Sequence, residues 1–226
     1  MQFFIDFDGT ITKKDVVDLI LEHFASSDWR KVEQEWVDGK IGSRECLRRQ
    51  IALVKVTREQ LKKLDDHIEV DPAFFPFLKS AQNLGVPVTI VSDGFRIMIE
   101  QILRHASKNA DQRWELMPVF SNQLEWRGSK VEARFPDGPV CEHGCANCKP
   151  RVIASRRLPG KQVIFVGDGH SDRFAAQAAD LTFAKNKLLK FCEEKNLTHK
   201  KYSNFKEIEE WMLKQAVPIK EEMPCH

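Results

Sequence analysis

The sequence lacks a large excess of charge of either sign. Its 35 basic residues nearly balance its 33 acidic residues, which leaves a net charge of +2. Proteins that bind polyanions usually concentrate basic residues in a patch or stripe, and no run of Lys or Arg here is long enough to form one. The sequence therefore gives no reason to propose a nucleic-acid partner.

A long apolar segment and a secretory signal are also missing. No stretch approaches the roughly 20 apolar residues that span a bilayer, so no membrane partner is predicted. The start, Met-Gln-Phe-Phe-Ile, has no basic region, apolar core or cleavage site of a signal peptide. We therefore expect a cytoplasmic protein whose six cysteines are reduced thiols or metal ligands rather than a disulfide framework.

Three short apolar runs predict buried parallel strands. They cover Gln2 to Phe7, Val86 to Val91 and Gln162 to Val166, and a polar turn and a helical pattern follow each one. This alternation predicts an α/β fold with an open parallel sheet. Ligands bind beyond the carboxyl ends of the strands in such sheets. The turns at 6–10, 92–94 and 167–172 are therefore expected to meet at one site.

Two further segments interrupt the α/β alternation. Helical spacing of apolar residues through 12–84 predicts a small helical domain inserted after the first strand, although these could be ordinary core helices of a single domain. Residues 1–11 and 85–216 would form the core. Alternating apolar residues near 114–138 predict a β-hairpin inserted in that core. An amphipathic helix is predicted over 205–213, and residues 217–226 are expected to form a flexible tail.

The first strand leads into Asp6-Phe7-Asp8-Gly9-Thr10. Asp6 and Asp8 are two residues apart, so both point to the same side of an extended chain. Carboxylates this close repel each other unless a cation or a shared proton relieves the repulsion, and Mg²⁺ suits a site made of oxygen atoms. One carboxylate can attack a phosphoryl group while the other acts as general acid and base. Asp-Gly alone is more often a simple turn.

Polar residues also follow the other two strands. Ser92 and Gly94 can hold a phosphate through a hydroxyl and backbone N–H groups, and Lys149 before Pro150 can offset phosphate charge at a helix start. Asp168 and Asp172 follow the third strand and can complete a magnesium site, with Asp172 acting through water or orienting Lys149. Each signal has a simpler interpretation, since Ser and Asp often cap helices and most lysines are merely solvated.

Taken together, these motifs resemble the four motifs of the haloacid dehalogenase superfamily, specifically its phosphatases. The resemblance covers nearly the whole chain and implies a Rossmann-like core with a mobile cap. It implies the following roles: Asp6 as nucleophile and magnesium ligand, Asp8 as acid/base and as a ligand through its carbonyl, Lys149 as charge stabiliser, Asp168 and Asp172 in the metal region, and Thr10, Ser92, Asp93 and Gly94 as the phosphate-binding group. A non-catalytic phosphate-binding protein is the alternative of a different class.

The resemblance also bears on the substrate, which is expected to be a small phosphomonoester. The helical insertion matches the phosphoserine-phosphatase branch, but Gln50 stands where that branch carries an arginine, and Gln cannot form a bidentate carboxylate clamp. Arg48 or Arg49 could replace it. The cysteine-rich run before Lys149 looks more like the methionine-salvage branch, which acts on 2-hydroxy-3-keto-5-methylthiopentenyl-1-phosphate. Phosphoserine, phosphocholine and pyridoxal phosphate remain alternatives, and monomer and homodimer are both open.

Seven further residues are candidates. Asp15, Phe95, Arg96 and His170 are expected to line the substrate pocket. Cys141, Cys145 and Cys148 form a Cys-x3-Cys-x2-Cys run, one ligand short of a tetrahedral structural zinc site. His143 or Cys225 could supply the fourth ligand, and a reduced loop or a labile disulfide is the alternative. Cys46 and Cys192 lie in helical patterns and are expected to be core thiols.

Overall fold

The computed structural model describes residues 1–109, 114–128 and 130–216. Within them, seven strands form one sheet: β1 Gln2–Ile5, β2 Val88–Phe95, β3 Val119–Arg127, β4 Lys130–Arg134, β5 Val163–Gly167, β6 Leu181–Ala184 and β7 His199–Lys201. Their order is β4-β3-β2-β1-β5-β6-β7, and the pairs are parallel except for β3 and β4. The predicted α/β class is confirmed. The predicted hairpin is the antiparallel pair β3 and β4.

The two central strands are buried along their whole length. Every residue of β1 and β5 is inaccessible to solvent, which explains their continuous apolar sequences, because helices cover both faces of a parallel sheet. The two strands pair in register, with Ile5 opposite Val166. The residues that follow them therefore leave the sheet side by side.

The second predicted strand differs from expectation at its end. β2 continues to Phe95, so Ser92, Asp93 and Gly94 belong to the strand rather than to a turn after it. The pairing register with β3 shifts between Val91 and Phe95. Within this irregular stretch the N–H of Gly94 donates to Ser92 Oγ at 2.8 Å. The strand end is thus held by a local side-chain bond.

Five α-helices lie between β1 and β2: α1 Val16–Phe24, α2 Trp29–Val37, α3 Ser43–Ile51, α4 Arg58–Lys62 and α5 Phe74–Asn83. The chain leaves the sheet and returns to it along two adjacent segments. The N–H of Lys13 donates to Glu69 O and that of Asp71 donates to Ile11 O, each at 2.8 Å. The intervening residues therefore form an excursion with its two connections side by side, as an inserted cap requires.

Helix α5 packs on the sheet side of these connections. The ring of Phe77 contacts Phe3 of β1 edge-on, with centroids 5.2 Å apart, and Phe74 contacts Phe205 at 5.1 Å. The end of the predicted cap segment, 12–84, therefore packs with the core, and the division into cap and core domains stays a prediction.

The remaining helices are α6 Arg96–Ala106, α7 Lys149–Arg156, α8 Arg173–Ala178, α9 Asn186–Glu194 and α10 Phe205–Ala216. The predicted C-terminal helix is α10, which extends three residues beyond the predicted end, since the prediction ended at 213. The predicted tail at 217–226 lies outside the described residues. Among the helices of the described ranges, none combines the length and apolar character needed to cross a membrane.

Candidate active site

The carboxyl ends of β1 and β5 bring Asp6 and Asp168 to one edge of the sheet. The N–H of Asp6 continues the strand pairing by donating to Val166 O at 2.9 Å. Gly9 then turns the chain with a φ of +73°, where a side chain would be strained. A Cβ at Gly9 would also lie 2.8 Å from Asp168 Oδ2. A glycine is therefore required where the first motif passes the Asp168 carboxylate at the end of β5.

Lys149 lies between two buried carboxylates. Its ammonium donates to Asp6 Oδ1 at 2.8 Å and to Asp172 Oδ1 at 2.6 Å. Lys149 is 2% exposed, Asp6 4% and Asp172 0%, so all three groups are shielded from water. The lysine is placed there by the first turn of α7, which begins at Lys149 with Pro150 next. The simpler interpretation of Lys149 as a solvated surface lysine is therefore wrong.

Asp172 fixes this lysine and also the turn after β5. Its second oxygen, Oδ2, accepts the N–H groups of Asp168 and Gly169, both at 3.0 Å. Helix α8 does begin at Arg173, but the Asp172 side chain makes no capping hydrogen bond to it. The simpler interpretation, in which the Asp172 side chain only caps α8, is therefore wrong, and the alternative contact with Lys149 is observed.

Asp8 faces the end of β2. Its Oδ2 accepts the Ser92 hydroxyl at 2.9 Å, and its Oδ1 accepts the N–H of Val16 at 3.2 Å. A Cβ at Gly94 would lie 3.0 Å from Ser92 Oγ and still closer to the Asp8 carboxylate. The glycine thus allows Asp8 and Ser92 to meet. Burial raises the pKa of Asp8 to about 6, although the bonds from Ser92 and Val16 act to lower it.

Thr10 and Asn186 hold Asp168. The Thr10 hydroxyl donates to Asp168 Oδ1 and the Asn186 amide donates to Asp168 Oδ2, both at 3.2 Å. Thr10 and Ser92 are both completely buried. Their hydroxyls donate hydrogen bonds to the carboxylates of Asp168 and Asp8, respectively. Direct contact of Thr10 or Ser92 with phosphate stays a prediction.

A cavity of about 430 Å³ opens above this cluster. Of the residues singled out from sequence, these line it: Asp6, Asp8, Asp15, Cys46, Gln50, Asp93, Gly94, Asp168 and His170. Phe95 and Arg96 do not. Phe95 is 1% exposed and packs in the core. The Arg96 guanidinium pairs with Glu100 and bonds Val119 O beside a different cavity. The expectation that these two line the substrate pocket is therefore corrected.

Helices α2 and α3, within the predicted cap segment, supply the opposite wall of the cavity. Gln50 is buried and its amide donates to Glu33 Oε2 at 2.9 Å. Arg48 pairs with Glu45 and Arg49 with Glu35, and neither lines the cavity. The structure therefore does not support the possibility that Arg48 or Arg49 supplies the carboxylate clamp in place of the arginine missing at position 50.

One aromatic contact joins α2 to the loop after β5 beside the cavity. Trp36 of α2 meets His170 edge to face, with ring centroids 5.1 Å apart. His170 Nε2 also lies 2.6 Å from the Arg173 guanidinium and must accept from it. Burial lowers the pKa of His170, and Arg173 lowers it further. Asp15, which also lines the cavity, caps α1 by accepting the N–H groups of Val17 and Asp18.

Asn147 is a positioning residue that sequence reasoning missed. Its amide donates to Ser92 O at 3.0 Å and to Phe120 O at 2.8 Å, and its N–H donates to Asp93 Oδ1 at 3.1 Å. It is 3% exposed. The available signal in the sequence was an asparagine between Cys145 and Cys148, two residues before Lys149. Its hydrogen-bond partners could not be predicted, because they lie 27 to 55 residues away in sequence.

The donor set fits a divalent cation with a preference for oxygen. One oxygen each from Asp6, Asp168 and Asp172 lies within 4.8 Å of the others, and Mg²⁺ favours carboxylate ligands. Burial and the charge of Asp172 raise the pKa of both Asp6 and Asp168. The direct ion pairs described for this cluster involve Lys149 alone, so negative charge remains in excess and a cation would relieve it.

Comparison with known proteins identifies relatives of this chain. The family model described as haloacid dehalogenase-like hydrolase matches residues 3–177. A 2-hydroxy-3-keto-5-methylthiopentenyl-1-phosphate phosphatase of Bacillus pumilus (strain SAFR-032) is 29% identical and covers 93% of this chain and 94% of its own. A protein of the same name from Geobacillus kaustophilus (strain HTA426) is 27% identical, over 89% and 90% of the two chains.

Solved structures share the fold. A substrate-bound phosphoserine phosphatase complex superposes with a TM-score of 0.69 at 22% identity and covers 93% of this chain and 97% of its own. An apo phosphoserine phosphatase gives a TM-score of 0.65 at 21% identity, over 93% and 98%. At this level of identity the likeness concerns the fold alone.

Proposed function

The chain belongs to the haloacid dehalogenase-like hydrolase family and is a phosphatase of that family, and we propose that it hydrolyses a small phosphomonoester with Mg²⁺ through an aspartyl-phosphate on Asp6. One observation carries the proposal. The buried Lys149 ammonium is held between Asp6 and Asp172 below a cavity whose floor carries Asp6, Asp8 and Asp168. Nucleophile, acid/base and charge stabiliser are thus within one site, as nucleophilic catalysis requires.

Asp6 would attack the phosphorus with one carboxylate oxygen. Its exposed fraction is only 4%, so few waters compete with the substrate for it. Lys149 donates to Asp6 Oδ1 and keeps one carboxylate oxygen oriented. The attack forms the bond from Asp6 to phosphorus and breaks the bond from phosphorus to the leaving oxygen. Because Lys149 is desolvated, its charge stabilises the developing negative charge more strongly than it would in water.

Asp8 would move the proton. It protonates the leaving oxygen in the first half-reaction and takes a proton from the attacking water in the second, which releases phosphate and restores Asp6. A pKa of about 6, raised by burial, makes both protonation states accessible near neutral pH. The hydroxyl of Ser92 holds the Asp8 carboxylate in place at 2.9 Å.

Asp6, Asp168 and the backbone carbonyl of Asp8 would hold the Mg²⁺ ion, with Asp172 acting through Lys149 or a water. When bound, the ion supplies positive charge to the phosphoryl oxygens. Asp172 is less suited to direct ligation, because both of its oxygens already accept hydrogen bonds. Thr10 and Asn186 orient the Asp168 carboxylate on the cavity floor.

For the substrate we propose 2-hydroxy-3-keto-5-methylthiopentenyl-1-phosphate, the compound in the names of the relatives. As that name states, phosphate and methylthio group are at opposite ends of a five-carbon chain. The cap wall offers apolar contacts through Val17, Trp36 and Leu47. The charged residues on and beside it are the acidic Asp15, Asp18 and Glu33 and the basic Lys13 and Lys187, and no arginine is among the described residues that line the cavity. A substrate carboxylate such as that of phosphoserine would find no arginine for a bidentate clamp there.

A panel of phosphomonoesters with Mg²⁺ tests this choice. We expect kcat/KM for the methylthio substrate to exceed that for phosphoserine by at least ~10²-fold, about 2.8 kcal/mol of transition-state discrimination. Phosphocholine and pyridoxal phosphate belong in the same panel. A preference for phosphoserine would contradict the substrate assignment while leaving the mechanism intact, and inactivity on every ester with Mg²⁺ would favour a non-catalytic phosphate-binding protein.

A further inference from the structure

Three cysteine sulfurs converge in the loop that joins β4 to α7. The Sγ atoms of Cys141, Cys145 and Cys148 all lie within 4.8 Å of one another. All three residues are partly exposed, whereas Cys46 and Cys192 are buried in the fold. The proposed phosphatase mechanism uses none of these thiols.

The spacing of the three sulfurs favours a single metal ion. In a tetrahedral site with Zn–S bonds of ~2.3 Å, two sulfurs are separated by roughly 3.8 Å, so one ion can contact all three thiols after small side-chain rotations. A disulfide would join two of the sulfurs and leave the third without a role. The convergence of three is therefore better explained by coordination than by a cross-link.

Metals bind the thiolate form of cysteine, and the surroundings act differently on the three thiols: burial raises the pKa of Cys145 and of Cys148, whereas the pKa of Cys141 is lowered. The N–H of Cys145 donates to Cys141 Sγ at 3.4 Å. Although burial opposes it, this bond and those from the neighbouring thiols lower the pKa of Cys141. Cys148 precedes the first residue of α7, where the helix dipole favours negative charge. The N–H and the guanidinium of Arg151 also stabilise the Cys148 thiolate, against the larger effect of burial.

The described part of the chain supplies three ligands and no fourth. The ring of His143 is stacked on Phe174, with centroids 3.7 Å apart, and it does not belong to the cluster. The other candidate, Cys225, lies outside the described residues. The partial exposure of the three cysteines leaves room for a solvent molecule in the fourth position.

The same loop connects the cap to the active site. Ser43 Oγ accepts the N–H of Ala146 at 2.9 Å, and the N–H of Arg44 donates to Gly144 O at 2.9 Å. On the other side, Asn147 bonds the end of β2 and Lys149 enters the carboxylate cluster. This loop forms no helix or strand between 135 and 148, so an ion at the cysteines would fix a segment that both domains contact.

We propose that Cys141, Cys145 and Cys148 bind one Zn²⁺ ion, with solvent as the fourth ligand, and that the ion braces the loop carrying Asn147 and Lys149. Binding releases the protons of those thiols that are still protonated, because zinc is ligated by thiolates. The site is separate from the proposed magnesium site, since its ligands are sulfur rather than oxygen.

Metal analysis of protein expressed with zinc and purified without chelator tests the proposal. We expect about one zinc per chain in the wild type and in Cys192→Ala, whose buried thiol lies outside the cluster. The double variant Cys141→Ser/Cys145→Ser should contain at least tenfold less zinc per chain than the wild type, because serine is not a comparable zinc ligand. Cobalt substitution of the wild type should give the visible bands of a tetrahedral thiolate site, and these should vanish in the double variant.

A second measurement covers the case in which the double variant does not fold. Zinc is removed from the wild type by a thiol-binding mercurial while a chromogenic chelator records its release, and free thiols are counted before and after metal removal by a competing chelator. We expect stoichiometric release and newly reactive thiols in the tryptic peptides that contain Cys141, Cys145 and Cys148. Zinc-free protein with these thiols already reactive, a disulfide between two of them, or iron with inorganic sulfide would each overturn the zinc assignment.

Discussion

Lys149 and Asp172 form a 2.6 Å ion pair across 23 residues of sequence, and neither side chain is more than 2% exposed. The same lysine reaches Asp6 at 2.8 Å. Breaking a buried pair leaves charge without a partner and typically costs about 3–5 kcal/mol. This lysine therefore contributes to the folding of the site as well as to its charge.

Lys149→Met should destabilise the protein by about 3–5 kcal/mol at neutral pH without magnesium, because it leaves Asp6 and Asp172 buried without a cation. Urea unfolding monitored by circular dichroism measures the change. The matched control is Lys79→Met on the exposed face of α5, for which we expect a change within about 0.5 kcal/mol. Equal stability of the two variants would contradict the buried ion-pair assignment.

The effect of magnesium on stability should depend on pH. Burial raises the pKa of Asp8 from 3.8 to about 6, so between these values the folded protein binds more protons than the unfolded chain. Stability without metal therefore falls as pH rises through this window. The raised pKa values of Asp6 and Asp168 act in the same direction.

Because Mg²⁺ binds the ionised carboxylates, it should raise the Tm more at about pH 7.5 than at about pH 5. Thermal scans at both pH values, with and without the ion, make the comparison. Asp168→Asn should reduce the rise, whereas the exposed control Asp28→Asn should keep it. A rise that is the same at both pH values, or unaffected by Asp168→Asn, would contradict the magnesium site.

Asp8→Asn should convert steady turnover of p-nitrophenyl phosphate into a burst. Nitrophenolate leaves without a proton, so the first half-reaction survives, but water attack on the phosphorylated Asp6 then lacks its base. Stopped-flow absorbance should show about one nitrophenolate released per active site, followed by turnover at least ~10²-fold slower than in the wild type. Linear progress without a burst, at the rate of the wild type, would remove Asp8 from the mechanism.

Trp36→Ala should raise KM for the proposed substrate several-fold with a smaller change in kcat, because it removes an apolar wall of the cavity and the edge contact with His170. Trp36→Phe retains an aromatic edge and should keep KM within about twofold of the wild type. Steady-state kinetics on the three proteins checks this. A fall in kcat alone for Trp36→Ala would place Trp36 outside substrate binding.

The core of the fold and the floor of the site follow closely from the sequence. Continuous apolar runs mark β1 and β5 because both strands are buried on two faces. Parallel pairing then brings their carboxyl ends together, which is why Asp6 and Asp168 could be assigned to one site. By contrast, β7 reads His-Lys-Lys and lies at the sheet edge, where charge is favoured and apolar periodicity is absent.

The side-chain directions at the end of β2 and the contacts of Asn147 could not be predicted in the same way. Phe95 and Asp93 are two apart in β2, yet Asp93 lines the cavity and Phe95 is in the core, because the strand is irregular at this point. Asn147 is linked to Ser92 over 55 residues. Contacts of this kind depend on how the loop from β4 packs, and no periodic pattern encodes that packing.

Borohydride trapping tests the central claim, nucleophilic attack by Asp6, most directly. Wild-type protein mixed with p-nitrophenyl phosphate and Mg²⁺ is quenched, reduced and digested, which converts an aspartyl-phosphate to homoserine. In the wild type we predict homoserine at position 6 of the N-terminal peptide. The amount of homoserine should be larger in Asp8→Asn, and none should form in Asp6→Asn. Homoserine at another aspartate, or active wild-type and Asp8→Asn enzymes without a trapped residue, would contradict the assignment of Asp6 as the nucleophile.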